Sequence, residues 1–277
     1  MLWKITGHGP GTGKLWGIPM QKTQPLVTAK AVAIALIVAI CAVAADRAEA
    51  ATGYYLVSVY GAEDQVSIDY KYWNAKRNGS APVGAPELGI GYGVNSRWYT
   101  EVYGSYFQTA AQGTQFGGLN WQNDFLLTQG QYWFDLAIHT NIEQYRQREG
   151  YGLEWGPVFQ TEIWRTQLNA NVFLQRDYRG GSDGSTGNGN ATQLVYQWQV
   201  RQHWKPLFNV GLQGFGELGR WDNWNSTATQ SHRAGPAVFG TWYLPDTHKL
   251  LYEAAYLIGK NAGSSAKSFT MRIQYAF

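Results

Sequence analysis

Cysteine is almost missing from this chain of 277 residues, which has one, Cys41. Charged side chains are scarce at 15%, and beyond residue 50 no apolar run reaches the roughly 20 residues that a bilayer-spanning helix needs. The first absence excludes a disulfide framework, and the last excludes a helical membrane domain. The formal net charge of +3 misleads as well. Lys4, Lys14, Lys22, Lys30 and Arg47 lie in the first 50 positions against only Asp46 and Glu49, so the rest of the chain carries equal numbers of each sign. Nothing in that balance implies a nucleic-acid partner.

The one long apolar stretch is residues 31–45. Lys22 and Lys30 precede it, and the small residues of Ala48-Glu49-Ala50 follow. Charge, apolar core and small residues in that order describe a secretory signal peptide over residues 1–50, cut after Ala50. The stretch is short for a permanent anchor. Met20 would open a leader of ordinary length and is the expected true start. His8-Gly9-Pro10-Gly11-Thr12-Gly13-Lys14 echoes a phosphate-binding loop, but His8 stands where its first Gly belongs and Leu15 where Ser or Thr belongs. Cys41 follows Ile40, whereas a lipoprotein signal needs a small residue there, so the exported chain is expected to have no thiol.

Beyond the leader the sequence alternates. Phe269, Met271, Ile273, Tyr275 and Phe277 share one parity, and Ser268, Thr270, Arg272 and Gln274 the other. Val66, Ile68, Tyr70 and Tyr72 oppose Ser67, Asp69 and Lys71 in the same way. Period-two alternation gives a strand one apolar and one polar face. Twelve such segments are read near 65–74, 86–93, 97–108, 116–127, 131–142, 151–163, 166–176, 192–202, 207–218, 231–243, 248–259 and 267–277. Short gaps at 94–96, 128–130, 164–165, 203–206 and 244–247 alternate with longer polar ones at 75–85, 109–115, 143–150, 177–191, 219–230 and 260–266. Outer-membrane barrels have short periplasmic turns and longer outside loops. The expected fold is therefore all-β: a transmembrane antiparallel up-and-down barrel of about twelve strands over residues 65–277, with both termini in the periplasm. Trp73, Trp98, Trp121, Trp133, Trp164, Trp198, Trp204 and Trp242 are expected in or at strand ends, as interfacial girdles. A soluble sandwich would also alternate, but it needs neither export nor a terminal Phe. Residues 51–64 fit three placements: the periplasm, the lumen, or an extra strand.

The polar parity supplies the candidate lumen: Asp69, Lys71, Glu101, Asp124, Asp135, His139, Glu154, Glu162, Arg201, Glu217, Lys249, Glu253 and Arg272. Two readings stand side by side. In a water-filled passage these groups set selectivity, and the excess of acids favours cations. In a plugged lumen they pair with one another, since buried charge is costly unless compensated. Tyr275 and Phe277 form the expected assembly signal. Ser231, His232 and Glu217 are the one nucleophile–base–acid grouping conceivable for a lipid hydrolase. His139, His203, His232 and His248 lack metal-ligand spacing, so no metal and no cofactor is expected. Arg146, Arg148, Arg176, Arg179 and Arg220 could meet lipopolysaccharide phosphates, but Glu149, Asp177, Asp183 and Asp222 are interleaved with them.

Gly91-Tyr92-Gly93, followed by Arg97-Trp98, Thr100 and Glu101, and Gly235-Pro236-Ala237-Val238-Phe239-Gly240, followed by Leu250-Leu251-Tyr252-Glu253, carry a resemblance. Over residues 65–277 the chain resembles the small outer-membrane barrels known as meta-pathway phenol-degradation transport proteins. The terminal Tyr275-Ala276-Phe277 resembles the signal read by the barrel-assembly machinery. The resemblance implies transport and carries no catalytic residue. The expectation is a passive, weakly selective channel for a small solute in the outer membrane of a Gram-negative bacterium, contacting lipid and lipopolysaccharide. A non-conducting structural or interaction barrel is the alternative, and a membrane-embedded hydrolase is a third reading.

Overall fold

Opposite parities of a strand must face opposite environments. The computed structural model, which describes residues 54–59, 63–146, 150–179 and 191–277, consists of such strands, with no helix among the described residues. In chain order they are β1 (Val66–Arg77), β2 (Val83–Asn95), β3 (Trp98–Thr109), β4 (Gly113–Leu126), β5 (Phe134–Tyr145), β6 (Gly150–Ile163) and β7 (Thr166–Arg179). There follow β8 (Gln193–Lys205), β9 (Phe208–Arg220), β10 (Asn223–Trp224), β11 (Ser231–Tyr243), β12 (Lys249–Asn261) and β13 (Ser264–Ala276). Each long strand pairs antiparallel with its neighbours in sequence, and β13 closes onto β1. The two-residue β10 pairs only with the end of β9, so twelve strands make the closed barrel. Closure leaves no free sheet edge, which is what a bilayer demands of a β-structure. At ~3.3 Å per residue and a tilt near 40°, strands of this length rise roughly 30 Å or more, enough for the hydrocarbon layer.

The faces are inverted relative to a water-soluble protein. Ile68, Leu88, Trp121, Trp155, Val172, Leu212 and Ile258 are exposed outside, while Asp69, Lys71, Glu101, His139 and Arg233 are buried inside. An apolar exterior of this extent is stable only against lipid. Val66 and Phe277 exchange both backbone hydrogen bonds at 2.9 Å, so the seam brings the start of β1 to the chain's end. Trp133, Trp164, Trp204 and Trp242 cluster at this same terminal end and are exposed. Trp73 departs from the expected girdle. It shares the inward parity of Lys71 and is 4% exposed, packed edge-on against Tyr54 and Phe107.

The expected alternation of long and short connections does not hold. At the loop end, β3–β4 and β12–β13 are joined by only 110–112 and 262–263, whereas the terminal-end connection of β4 and β5 runs over 127–133. Hairpin pairing continues past the apolar band, because backbone bonds do not depend on hydropathy. The β12–β13 hairpin closes on Ala262 and Gly263, both at positive φ, as a tight two-residue turn requires. The 127–133 turn is held by its own bonds, with the Gly130 amide donating to Asp135 Oδ1 at 2.8 Å. The expected leader, its cleavage point and Cys41 lie outside the described residues, as do Arg148, Glu149 and Asp183.

Candidate functional site: the barrel lumen

Inward side chains meet across a narrow interior, and the order of the strands decides which ones meet. β1, β3 and β13 bring four charges together. Lys71 donates to Glu101 at 2.8 Å, with side-chain exposures of 2% and 0%. Arg272 Nε donates to Asp69 at 2.7 Å, and its guanidinium also lies 3.9 Å from Glu101. The Lys71 ammonium sits 4.4 and 4.2 Å from the Tyr55 and Tyr103 ring centroids. Gly89 and Gly91, across from this group on β2, leave the room it needs. A Cβ at Gly89 would come within 2.6 Å of Glu101 Oε1, and one at Gly91 within 1.9 Å of the Tyr99 hydroxyl.

A second group joins β4, β5 and β6. His139 presents Nδ1 to Asp124 at 2.6 Å and Nε2 to Glu154 at 3.3 Å, with Phe173 against its ring. Gln122 donates to the other Asp124 oxygen at 2.9 Å, and Gln175 donates to Glu154. Beyond it, β6 to β9 carry amides in place of charges. Gln167 donates to Asn169 and Asn169 to Gln160, each at 2.8 Å; Gln213 donates to Gln199 at 2.8 Å and Asn171 to Gln197 at 3.1 Å.

Of the remaining expected lumen residues, only Glu253 adjoins one of these groups, beside Arg272. Asp135 caps the 127–133 turn at the terminal rim. Glu162 is exposed at the same rim, 3.9 Å from His203, so it does not line a buried wall. Its parity is inward, but it stands at the last turn, where the interior opens to solvent. Arg201 lies over Phe239 at 5.2 Å, and Glu253 pairs in register with both Phe239 and Arg272. Lys249 is the first residue of β12, half-buried at the terminal end. Glu217 meets Arg233 at 3.4 Å near the loop end. Tyr275 and Phe277 stack on the outer face at 5.4 Å, with the Tyr275 hydroxyl 2.7 Å from His248 Nδ1. At the loop end Arg220 pairs with Asp222 at 2.9 Å, and this hydrogen bond holds the Asp222 carboxyl below its ordinary range.

Residues 54–59 run through the interior from one wall to the other. Thr270 donates to the Tyr54 carbonyl, and the Arg233 guanidinium stacks on the Tyr54 ring at 3.7 Å. The Tyr55 hydroxyl lies 2.7 Å from that of Tyr103. On the far wall the Val57 amide donates to Gln197 Oε1 at 3.1 Å, and Asn171 Nδ2 donates to the Val57 carbonyl at 2.8 Å. Two apolar clusters inside the barrel accompany this segment. Tyr54 packs with Trp73, Phe215, Phe239 and Leu257, and Val57 and Val59 pack with Leu126, Ala137, Val158 and Phe173. A wholly polar interior is thus not what forms: inward apolar residues are there because an apolar strand of chain lies against them.

Two buried charges are absent from the expected set, because their strands carry no polar stripe. Glu87 is inward on β2 opposite Lys71, and Arg233 inward on β11. Between Tyr54, Tyr55 and the loop end remains a cavity of about 50 Å³, walled by Glu87, Glu143, Glu154 and Glu217. By contrast Ser231, His232 and Glu217 do not converge. Ser231 points inward and donates toward Asn261 at 3.4 Å, while His232 faces out to the Tyr196 hydroxyl at 2.8 Å. Neighbouring residues of one strand cannot share a face, so that grouping supports no hydrolase.

No protein-family model matches the chain, and no curated protein matches it. Among solved structures, an outer membrane channel from Pseudomonas putida F1 matches with a TM-score of 0.51 and 11% identity, covering 83% of this chain and 100% of that one. The translocator domain of the autotransporter NalP from Neisseria meningitidis gives 0.46 and 10%, covering 79% and 89%. At 11% identity the first likeness shows the fold alone. The chain thus has the fold of an outer-membrane β-barrel.

Proposed function

We propose that this barrel sits in the outer membrane, termini in the periplasm, and passes small solutes when residues 54–59 leave its lumen. The observation that carries this reading is how the segment is held. Its backbone is bound on one wall by neutral amides and on the other by a single hydroxyl, Thr270. Each such bond contributes only about 1 kcal/mol net, because water replaces it when it breaks. With the segment gone, a lumen between the filled eight-strand and the open sixteen-strand sizes would remain. Its acids outnumber its bases, so passage would be passive and would favour cations. The resemblance to phenol-degradation transport barrels and the fold shared with the Pseudomonas channel support transport. A non-conducting barrel is the second reading, and burial of the Lys71–Glu101 and Arg272–Asp69 pairs favours it.

Conductance in planar bilayers separates the two. The folded full-length barrel should be mostly shut. A variant lacking residues 54–59, with unchanged heat-modifiable migration, should conduct steadily and prefer potassium over chloride. Silence from both folded proteins would sink the transport reading and leave the interaction barrel in its place.

A further inference from the structure

The cavity above the lumenal segment has an unbalanced wall. Glu87 is 5% exposed, and its Oε2 is buried without a hydrogen-bond partner. Lys71 stands opposite it in register but turns its ammonium to Glu101, with the Tyr55 and Tyr103 rings on either side. Asn141 spends its amide hydrogens on Asn120 at 3.5 Å, which leaves its Oδ1 buried and unpartnered too. Both orphans line the cavity, and both are acceptors. Glu143, Glu154 and Glu217 add carboxylates to the same wall, and no Lys, Arg or His lines it. Glu154 is already committed to His139 and Gln175, and Glu217 to Arg233, whereas Glu87 keeps an oxygen without a hydrogen-bond partner. Two buried acceptor oxygens without partners call for N–H or O–H donors, and an ammonium brings several on one atom. Tyr54, Tyr55 and Tyr103 also line the space, each ring already against Arg233 or Lys71 elsewhere. At ~10–15 Å³ per water, the volume suits a group of about three to five heavy atoms.

We propose that this cavity is a binding site for a small organic ammonium, with Glu87 as its counter-ion and Asn141 Oδ1 as second acceptor. The site does not depend on transport: Tyr54, Tyr55 and Val57 line it, so it exists with residues 54–59 in place.

The test uses the folded barrel in detergent, titrated calorimetrically with propane-1,3-diamine and with propane-1,3-diol, a neutral molecule of the same shape. The diamine should bind at least tenfold more tightly and raise the thermal midpoint, and the diol should do neither. Glu87→Gln should lower diamine affinity at least tenfold while the barrel keeps its heat-modifiable migration. Asp222→Asn, which removes a loop-end carboxylate outside the cavity, should leave affinity within twofold. Equal binding of diol and diamine, no binding of either, or full affinity in Glu87→Gln would each overturn the assignment. Since Glu87→Gln could in principle misfold, the diamine–diol contrast on unaltered protein stands by itself. Binding together with silence from both the full-length barrel and the variant lacking residues 54–59 would retain this site while removing the transport reading, and conductance of that variant without binding by the full-length barrel would do the reverse.

Discussion

Two walls of one lumen solve the same problem differently. The β13–β1–β3 wall buries full charges and satisfies them with one another, Lys71 with Glu101 and Arg272 with Asp69. The β6–β9 wall buries Gln160, Asn169, Asn171, Gln199 and Gln213, with Gln197 half-buried, and pairs these neutral amides with one another. A buried ion pair is strongly coupled: it contributes little net stability when intact, but removing one partner strands the other. A buried amide pair is weakly coupled, and water can take over either half. The first wall is therefore a fixed frame. The second can let go of what it holds, and it holds Val57 by both backbone groups. The Tyr54–Tyr55 end of the same segment leans through its rings on two cations, Tyr54 on Arg233 of β11 and Tyr55 on Lys71 of the fixed wall.

The largest expected effect breaks the fixed wall. Lys71→Met leaves Glu101 with Tyr99 at 3.3 Å and Arg272 at 3.9 Å as its remaining partners. Stranding a buried charge costs roughly 3–5 kcal/mol, toward the lower end here because Arg272 remains. Urea unfolding followed by heat-modifiable migration should show this as a lowered midpoint. Adding Glu101→Met should recover most of the loss. If Lys71→Met alone shifts the midpoint no more than Asn171→Ala does, the two walls are not different in kind.

A smaller effect sharpens what constrains the amide wall. Gly211 is inward on β9, and a Cβ there would lie 1.9 Å from the Val200 carbonyl oxygen, which is backbone and cannot swing away. Gly211→Ala should thus destabilise by about 1–3 kcal/mol, the usual penalty for overpacking. The loss should exceed that of any single amide on the same wall. A neutral result would mean that the strands there spread readily, and that the wall is loose in its backbone as well as its side chains.

How much of this was written locally in the chain follows from what alternation can report. It reports a face. Asp69, Lys71, Glu101 and His139 alternate with apolar residues of high contrast, such as Tyr70, Tyr72, Val102 and Ile138, so their side stands out. It does not report height, and Asp135 and Glu162 have the inward parity yet stand at the rim. It fails where the inward face is itself small or apolar. Glu87 sits among Ala85, Gly89 and Gly91, and Arg233 is followed inward by Ala237 and Phe239, so neither strand shows a polar stripe. Those apolar inward residues answer to residues 54–59, more than a hundred positions away in several cases, and no local pattern carries that information. Connection lengths differ from the expectation for a related reason: pairing extends beyond the apolar band, into residues whose hydropathy resembles a loop.

The smallest expected change in stability is also the most informative about release. Asn171→Ala removes the donor to the Val57 carbonyl, and Gln197→Ala the acceptor of its amide. Each should cost about 1 kcal/mol, close to the noise of an unfolding midpoint. The segment's own equilibrium should move far more than the barrel's. Val57 is 3% exposed, so a cysteine placed there reports on departure from the lumen. Cys41 is the chain's single cysteine, so a Val57→Cys protein with Cys41→Ser has one thiol. Labelling of that thiol by a small maleimide should be slow in an otherwise unaltered barrel. Together the two alanines should speed it on the order of ten- to thirtyfold, since about 1.4 kcal/mol is a factor of ten in an equilibrium. Lys71→Met, despite its larger loss of stability, should speed labelling less, because Lys71 touches the segment only through the Tyr55 ring. If Lys71→Met accelerates labelling as much as the amide pair does, release is coupled to unfolding of the whole barrel. The neutral wall would then not be where the segment lets go.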